Sequence, residues 1–126
     1  MATIPAPLIN QKYPVRYDGS ELTLKVHIGN GQMSEGRYYV RPNMKSPDTL
    51  NGQIESGKLI TLGKDTDVHG QRLSILVTVA AANGKDTQVQ FILSGGLNDF
   101  NFTLKTEAGN QGDVVVYEAY FRFTKS

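Results

Sequence analysis

The chain has 126 residues, 13 Lys and Arg against 12 Asp and Glu, a formal net charge of +1 and no Cys. That length suits one domain that hides roughly two-thirds of its unfolded surface, enough for a core without metal or disulfide staples. The near-neutral balance gives no long-range field for DNA or an acidic membrane. The absence of Cys removes thiol catalysis, thiolate metal sites and disulfides together, while leaving the compartment open.

The stretch from Met1 to Pro7 has no basic and no apolar signal region, so a cleavable secretory signal is not expected. The longest apolar run, Val77 to Ala82 broken by Thr78, falls far short of the roughly 20 residues that span a bilayer. The expectation is a water-soluble chain without membrane insertion. Pro5, Pro7 and Pro14 withdraw backbone donors from the start. Residues 1–19 therefore read as an extended arm without a regular ladder, free to lie on a sheet edge or to swap. Residues 20–126 read as a single β-sandwich domain.

From Glu21 to Ile28, Leu22, Leu24, Val26 and Ile28 share one strand face and Glu21, Thr23, Lys25 and His27 the other. Gly29-Asn30-Gly31 allows a reversal, and a second strand follows from about Gly36 to Arg41. Pro42 to Gly52 breaks the pattern and reads as a crossover between two sheets. A third strand covers Lys58 to Leu62, with Ile54 as an early start. The fourth runs from Arg72 to Ala81, and Leu76 and Ala80 on its second face mark it as central. Asn83-Gly84 predicts an antiparallel hairpin with the ladder of Val89, Phe91 and Leu93. After Gly95-Gly96 come Phe100, Phe102 and Leu104. Gly109 and Gly112 then lead to a last strand, Asp113 to Thr124, with Val115, Tyr117, Ala119, Phe121 and Phe123 toward the core. The expected fold is an all-β, antiparallel two-sheet β-sandwich of about seven to eight strands, with Ig-like or jelly-roll connectivity and an extended N-terminal arm.

If each strand crosses the domain once, alternate loops emerge at opposite ends. One end should then gather Glu35, the Asp65, Asp67 and His69 loop, and Asn98 with Asp99; the other gathers Asn43, Lys45, Asp48, Lys85, Asp86, Asn110 and Gln111. Clustered loops on a rigid sandwich commonly carry binding, so the acidic end is a candidate site.

Asp65-Thr66-Asp67-Val68-His69-Gly70 copies the first half of a calcium loop, but Leu76 stands where the bidentate Glu belongs. A weak calcium site built from Asp65, Asp67 and Asp99 is the functional reading and a solvated polar turn the plain one; no other cofactor is implied. Gly29-Asn30-Gly31-Gln32-Met33-Ser34 lacks the third Gly of a dinucleotide fingerprint and a helix to follow it, so it reads as a turn. His69 with Asp65, Asp67 and Ser74 makes a minimal Ser, His and Asp set, without any nucleophile elbow. His27 reads as solvent-exposed. Paired-carboxylate glycoside chemistry would need Glu35, Asp65 and Asp99 to converge across a cleft. Asn101-Phe102-Thr103 fits a glycosylation pattern but falls inside a strand.

Arg37-Tyr38-Tyr39-Val40-Arg41 interleaves bases and rings as a single-strand nucleic-acid surface does, against which the overall charge argues. Alternation puts Arg37, Tyr39 and Arg41 on one face. Joined by Glu118, Tyr120 and Arg122, that face suits a sugar or a peptide, although the absence of Trp weakens the sugar version. The expected function is a non-enzymatic binding module for a glycan or protein partner, not for nucleic acid, acting through Glu35, Asp65, Asp67, His69 and Asp99 or through Tyr39 and Tyr120. The alternatives are a structural subunit that forms homo-oligomers through sheet edges and the arm, and a loop-based hydrolase.

Overall fold

The computed structural model describes residues 2–42 and 50–125. Among the described residues the elements are β1 (Thr3–Pro5), β2 (Ile9–Val15), β3 (Glu21–Asn30), β4 (Gln32–Arg41), β5 (Leu50–Gln53), β6 (Leu59–Lys64), α1 (Asp65–Val68), β7 (Arg72–Ala80), β8 (Asp86–Ser94), β9 (Phe100–Glu107) and β10 (Val114–Lys125). The protein is nearly all β, with two sheets packed against each other. A six-stranded sheet has the order β1-β10-β7-β4-β5, with β2 also on β10, and a four-stranded sheet has the order β6-β3-β8-β9. No helix among the described residues is long and apolar enough to cross a membrane.

The period-two alternation of β3, β7, β8 and β10 fills the space between the sheets. Leu22, Leu24, Val26, Leu73, Ile75, Val77, Val79, Val89, Phe91, Leu93, Val115, Tyr117, Phe121 and Phe123 are all essentially inaccessible. Tyr117 on β10 brings a hydroxyl into this core and meets Thr87 of β8 at 2.6 Å. Thr87 Oγ1 donates to the Thr106 carbonyl at 2.8 Å, so Tyr117 is the donor in the shared bond. This satisfied pair ties one sheet to the other.

The first residues depart from the expectation that they form no ladder. β1 and then β2 run parallel to β10 along the same edge, Thr3 opposite Val114 and Ile9 through Val15 opposite Ala119 through Lys125. The edge position explains the difference, because a proline there loses no donor that a neighbour needs. Tyr13 and Val15 enter the core. The Tyr13 ring packs edge-on to Phe123 with centroids 6.2 Å apart, and its hydroxyl accepts the Gly96 N–H at 3.1 Å. Burial pushes the Tyr13 phenol up, and the nearby negative charge of Asp99 adds to the effect. Gly95 and Gly96 make this joint possible. A Cβ at Gly95 would collide with the Glu21 carbonyl, and one at Gly96 would lie 2.7 Å from the Tyr13 ring.

Three connections correct the sequence reading. Asn83-Gly84 does not close a hairpin, because β7 lies between β4 and β10 while β8 belongs to the other sheet. The turn residues specify a reversal, not which sheet receives the next strand. The connection after Pro42 is not a crossover either: β5 returns antiparallel to β4, Leu50 opposite Val40, and the chain changes sheets only between β5 and β6. Asn43, Lys45 and Asp48 lie outside the described residues. Finally, β4 begins at Gln32, so Glu35 stands in a strand opposite Thr78, across a bulge.

Because β5 adds one crossing, the parity of the loops changes. The β6–β7 and β8–β9 connections share an end, beside Glu21 and Thr23, as the pairs Glu21 with Lys64 and Thr23 with Ser94 require. The β3–β4 turn lies at the opposite end, with Asn30 beside Gln88 and Gln32 beside Ala80. Glu35 is thus separated from Asp65, Asp67, His69 and Asp99.

At that opposite end Asp113 fastens the start of the chain, accepting the Ala2 N–H at 2.9 Å and the Asn110 N–H at 2.8 Å. These bonds, Ala2's first, hold its carboxyl below the usual carboxylate range.

Two outcomes are expected. Tyr13→Ala should cost about 3–5 kcal/mol in chemical denaturation; a loss under about 1 kcal/mol would show that the arm merely rests on the sheet. A depressed folded pKa gives stability that is complete above the unfolded value near 3.8 and is lost as pH falls through the folded one. Hydrogen-exchange protection of β1 should therefore hold from pH 7 to about 4.5 and drop below pH 3.8, and Asp113→Asn should flatten that step. An unchanged step in the variant would assign it to another carboxyl.

Candidate functional site

The acidic end divides into residues with different duties. Asp65 begins α1, a single turn whose preceding Lys64 gives no side-chain cap. Fully buried, its carboxylate turns back toward the 16–20 connection. Oδ2 accepts the N–H groups of Tyr17 at 2.8 Å and Asp18 at 3.3 Å, and Oδ1 accepts that of Gly19 at 2.8 Å. Its own N–H donates to the Ser20 carbonyl at 2.9 Å. Tyr17 has φ +61°, in the left-handed region that a non-glycine residue enters only when its surroundings insist. Asp65 supplies that insistence.

Asp67, His69 and Asp99 are exposed. His69 meets the Tyr17 ring edge-on with centroids 5.0 Å apart, and Lys125 Nζ lies 5.3 Å from the same ring. Among the described residues no group of three or more His, Cys, Asp or Glu is placed to hold a metal ion. Ser74 Oγ has no hydrogen-bond partner, so no Ser, His and Asp chain is connected. His27 is exposed on β3, and Asn101 is exposed on β9.

The outer face of the six-stranded sheet does bring its expected residues together. Tyr39 and Tyr120 are not on adjacent strands, but both stand opposite Ser74 of β7, one on each side. The row continues to Asn10 on β2 and Asn51 on β5. It reads Asn10, Tyr120, Ser74, Tyr39, Asn51, and at the usual strand spacing it is roughly 19 Å long. Lys12, Arg122, Arg72 and Arg41 form the next row, in register across four strands. On the other side lie Glu118, Leu76, Arg37 and Gln53.

Each tyrosine carries a guanidinium, Arg72 4.0 Å from the Tyr120 ring centre and Arg41 5.5 Å from that of Tyr39. Tyr120 donates its hydroxyl to Glu118 Oε2 at 2.9 Å. Burial, and then that bond, push its phenol up. Arg122 donates to the Gly70 carbonyl at 2.8 Å. Ser74, Leu76, Tyr39, Arg41, Glu118 and Tyr120 enclose a depression of about 140 Å³. Ser74 is 7 % exposed, and among the described residues neither its Oγ nor Arg72 Nε, both buried, has a hydrogen-bond partner.

Larger depressions lie elsewhere. One of about 340 Å³ at the β4–β5 edge contains Glu35, which is engaged with Arg37 at 3.1 Å with both side chains half exposed. Another of about 460 Å³ lies between Asn30, Asp86 and Glu107 on the four-stranded sheet. Both are polar edges without an aromatic ring. Sequence reasoning missed Arg72 as a site residue and weighed Ser74 only for hydrolase chemistry, although the phase of the β7 alternation already places both on the polar face.

No family model, curated protein or solved structure matches this chain.

Asp65→Ala leaves three backbone N–H groups without their charged acceptor and should cost about 3 kcal/mol or more. Calcium at about 5 mM should leave the melting midpoint of the parent protein unchanged, since Asp65 is already committed to the turn. A calcium-dependent rise that disappears in Asp67→Asn and Asp99→Asn would instead support a cation site there.

Proposed function

We propose that this protein is a non-enzymatic binding module that recognises a glycan or protein partner through the outer face of its six-stranded sheet, centred on Tyr39 and Tyr120. One observation carries the reading: register sets two tyrosines on either side of a small, buried, unpartnered serine, in a row closed by an asparagine at each end. Rings with a polar tip beside amide side chains are the groups that stack on and hydrogen-bond to a sugar or a polar protein surface. The shape agrees. At about 140 Å³ the depression is smaller than the roughly 300–1,000 Å³ of pockets that enclose a small molecule, so a partner would lie across the face.

A second reading, a subunit of an assembly, is favoured by the seam between β2 and β9. There Leu8 and Phe102 are exposed and, with Ile9 and Phe100, border a depression of about 320 Å³. Light scattering separates the two, because a monomer at high concentration removes the assembly reading.

A glycan array and a peptide screen with the parent protein should yield a ligand whose affinity falls at least about tenfold in Tyr39→Ala and in Tyr120→Ala. Binding that survives both changes would place the interface elsewhere.

A further inference from the structure

The outer face carries an excess of positive charge. Among the described residues, Lys12, Arg37, Arg41, Arg72 and Arg122 outnumber Glu35 and Glu118 there, in a chain whose whole net charge is +1. Like charges directly opposite each other on neighbouring strands destabilise a sheet, yet Arg72 and Arg122 stand opposite one another in a row that, among the described residues, contains no carboxylate. Arg72 sits at the middle of the row. Among the described residues its side chain contacts the Tyr120 ring and lies within ion-pair distance of no carboxylate. Its Nε and the neighbouring Ser74 Oγ are buried donors without acceptors. A buried donor left unmade costs about 1–3 kcal/mol, and an anionic oxygen entering between them would relieve both costs at once.

We infer that the ligand is a carboxylate-bearing saccharide, whose carboxylate is received by Arg72 and Ser74 between Tyr39 and Tyr120. This rests on the outer face being the binding surface. A guanidinium fork matches a carboxylate in two parallel hydrogen bonds. The depression lined by Ser74, Tyr39 and Tyr120 takes a group of that size, the Arg72 guanidinium lies over the Tyr120 ring that borders it, and the rings and Asn10 and Asn51 lie alongside for the rest of the sugar. An acidic peptide is disfavoured by the position. β7 is paired on both sides, so its backbone offers no donors or acceptors for strand addition, the usual way a sheet holds an extended peptide.

Isothermal titration calorimetry at low salt tests this on the full chain with tetragalacturonate, its methyl ester, sialyllactose, lactose and poly-L-glutamate. Expected is binding of one or both acidic saccharides, weakened at least tenfold in the neutral counterpart. The saccharide that fails tells uronate from sialate. Arg72→Gln and Ser74→Ala should each weaken it at least fivefold, while Arg72→Gln keeps the denaturation midpoint at or above the parent value, a combination that a merely structural arginine would not give. Equal binding of acidic and neutral saccharides, lost in Tyr39→Ala, would overturn the carboxylate while leaving the face in place. Poly-L-glutamate binding as tightly as the acidic saccharides, and lost in Arg72→Gln, would overturn the saccharide. No heat from any of the five overturns the inference, and the face is then judged by the array and the peptide screen.

Discussion

The register of β7 between β4 and β10 is the constraint on which the rest of the structure depends. A slip of one residue would carry Leu73, Ile75, Val77 and Val79 out of the core and turn Arg72, Ser74 and Leu76 into it. The apolar face therefore enforces the register, and the register in turn fixes what stands outside. Ser74 falls between Tyr39 and Tyr120, and Arg72 between Arg41 and Arg122, as consequences of burying the other side of the same strands. A face made this way is rigid, because moving it means unpacking the core.

The periphery completes the face. β2 covers the open edge of β10 and adds Asn10 and Lys12, and β5 does the same for β4 and adds Asn51 and Gln53. An uncovered β10 edge would invite pairing with another chain, so the arm both protects the sheet and widens it. The arm is held at its start by Asp113 and at its end by Tyr13 and by Asp65, which shapes the turn into β3. Buried carboxylates serve the fold at both ends of the sandwich. On the outer face, Arg72 and Arg122 instead stand in a row that holds no carboxylate among the described residues.

Alternation made β3, β7 and β10 legible, since a strand with one buried face writes its period directly into the chain. It identified β7 as central through Leu76 and Ala80, and it sorted Tyr39 from Tyr38 and Tyr120 from Phe121. β5 was not legible. Its four residues, Leu50-Asn51-Gly52-Gln53, offer a single apolar side chain, and Gly52 is there because a Cβ would meet the Tyr38 ring at 2.8 Å. Missing that one strand reversed the count of crossings and sent Glu35 to the wrong end. Nor could the role of Asp65 be read, since the N–H of Tyr17 that it holds is 48 residues away in sequence. The Asp65 and Asp67 spacing imitates a calcium loop because a turn and a metal site draw on the same residue types.

The central claim is that the outer face of the six-stranded sheet is the recognition surface. Amide chemical-shift mapping of the labelled protein with whichever of tetragalacturonate and sialyllactose binds tests it most directly. Shifts are expected only at residues 37–41, 72–76 and 118–122, with flanking changes at Asn10 and Asn51. Shifts centred on residues 65–69 and 95–99, or on the four-stranded sheet, would contradict it.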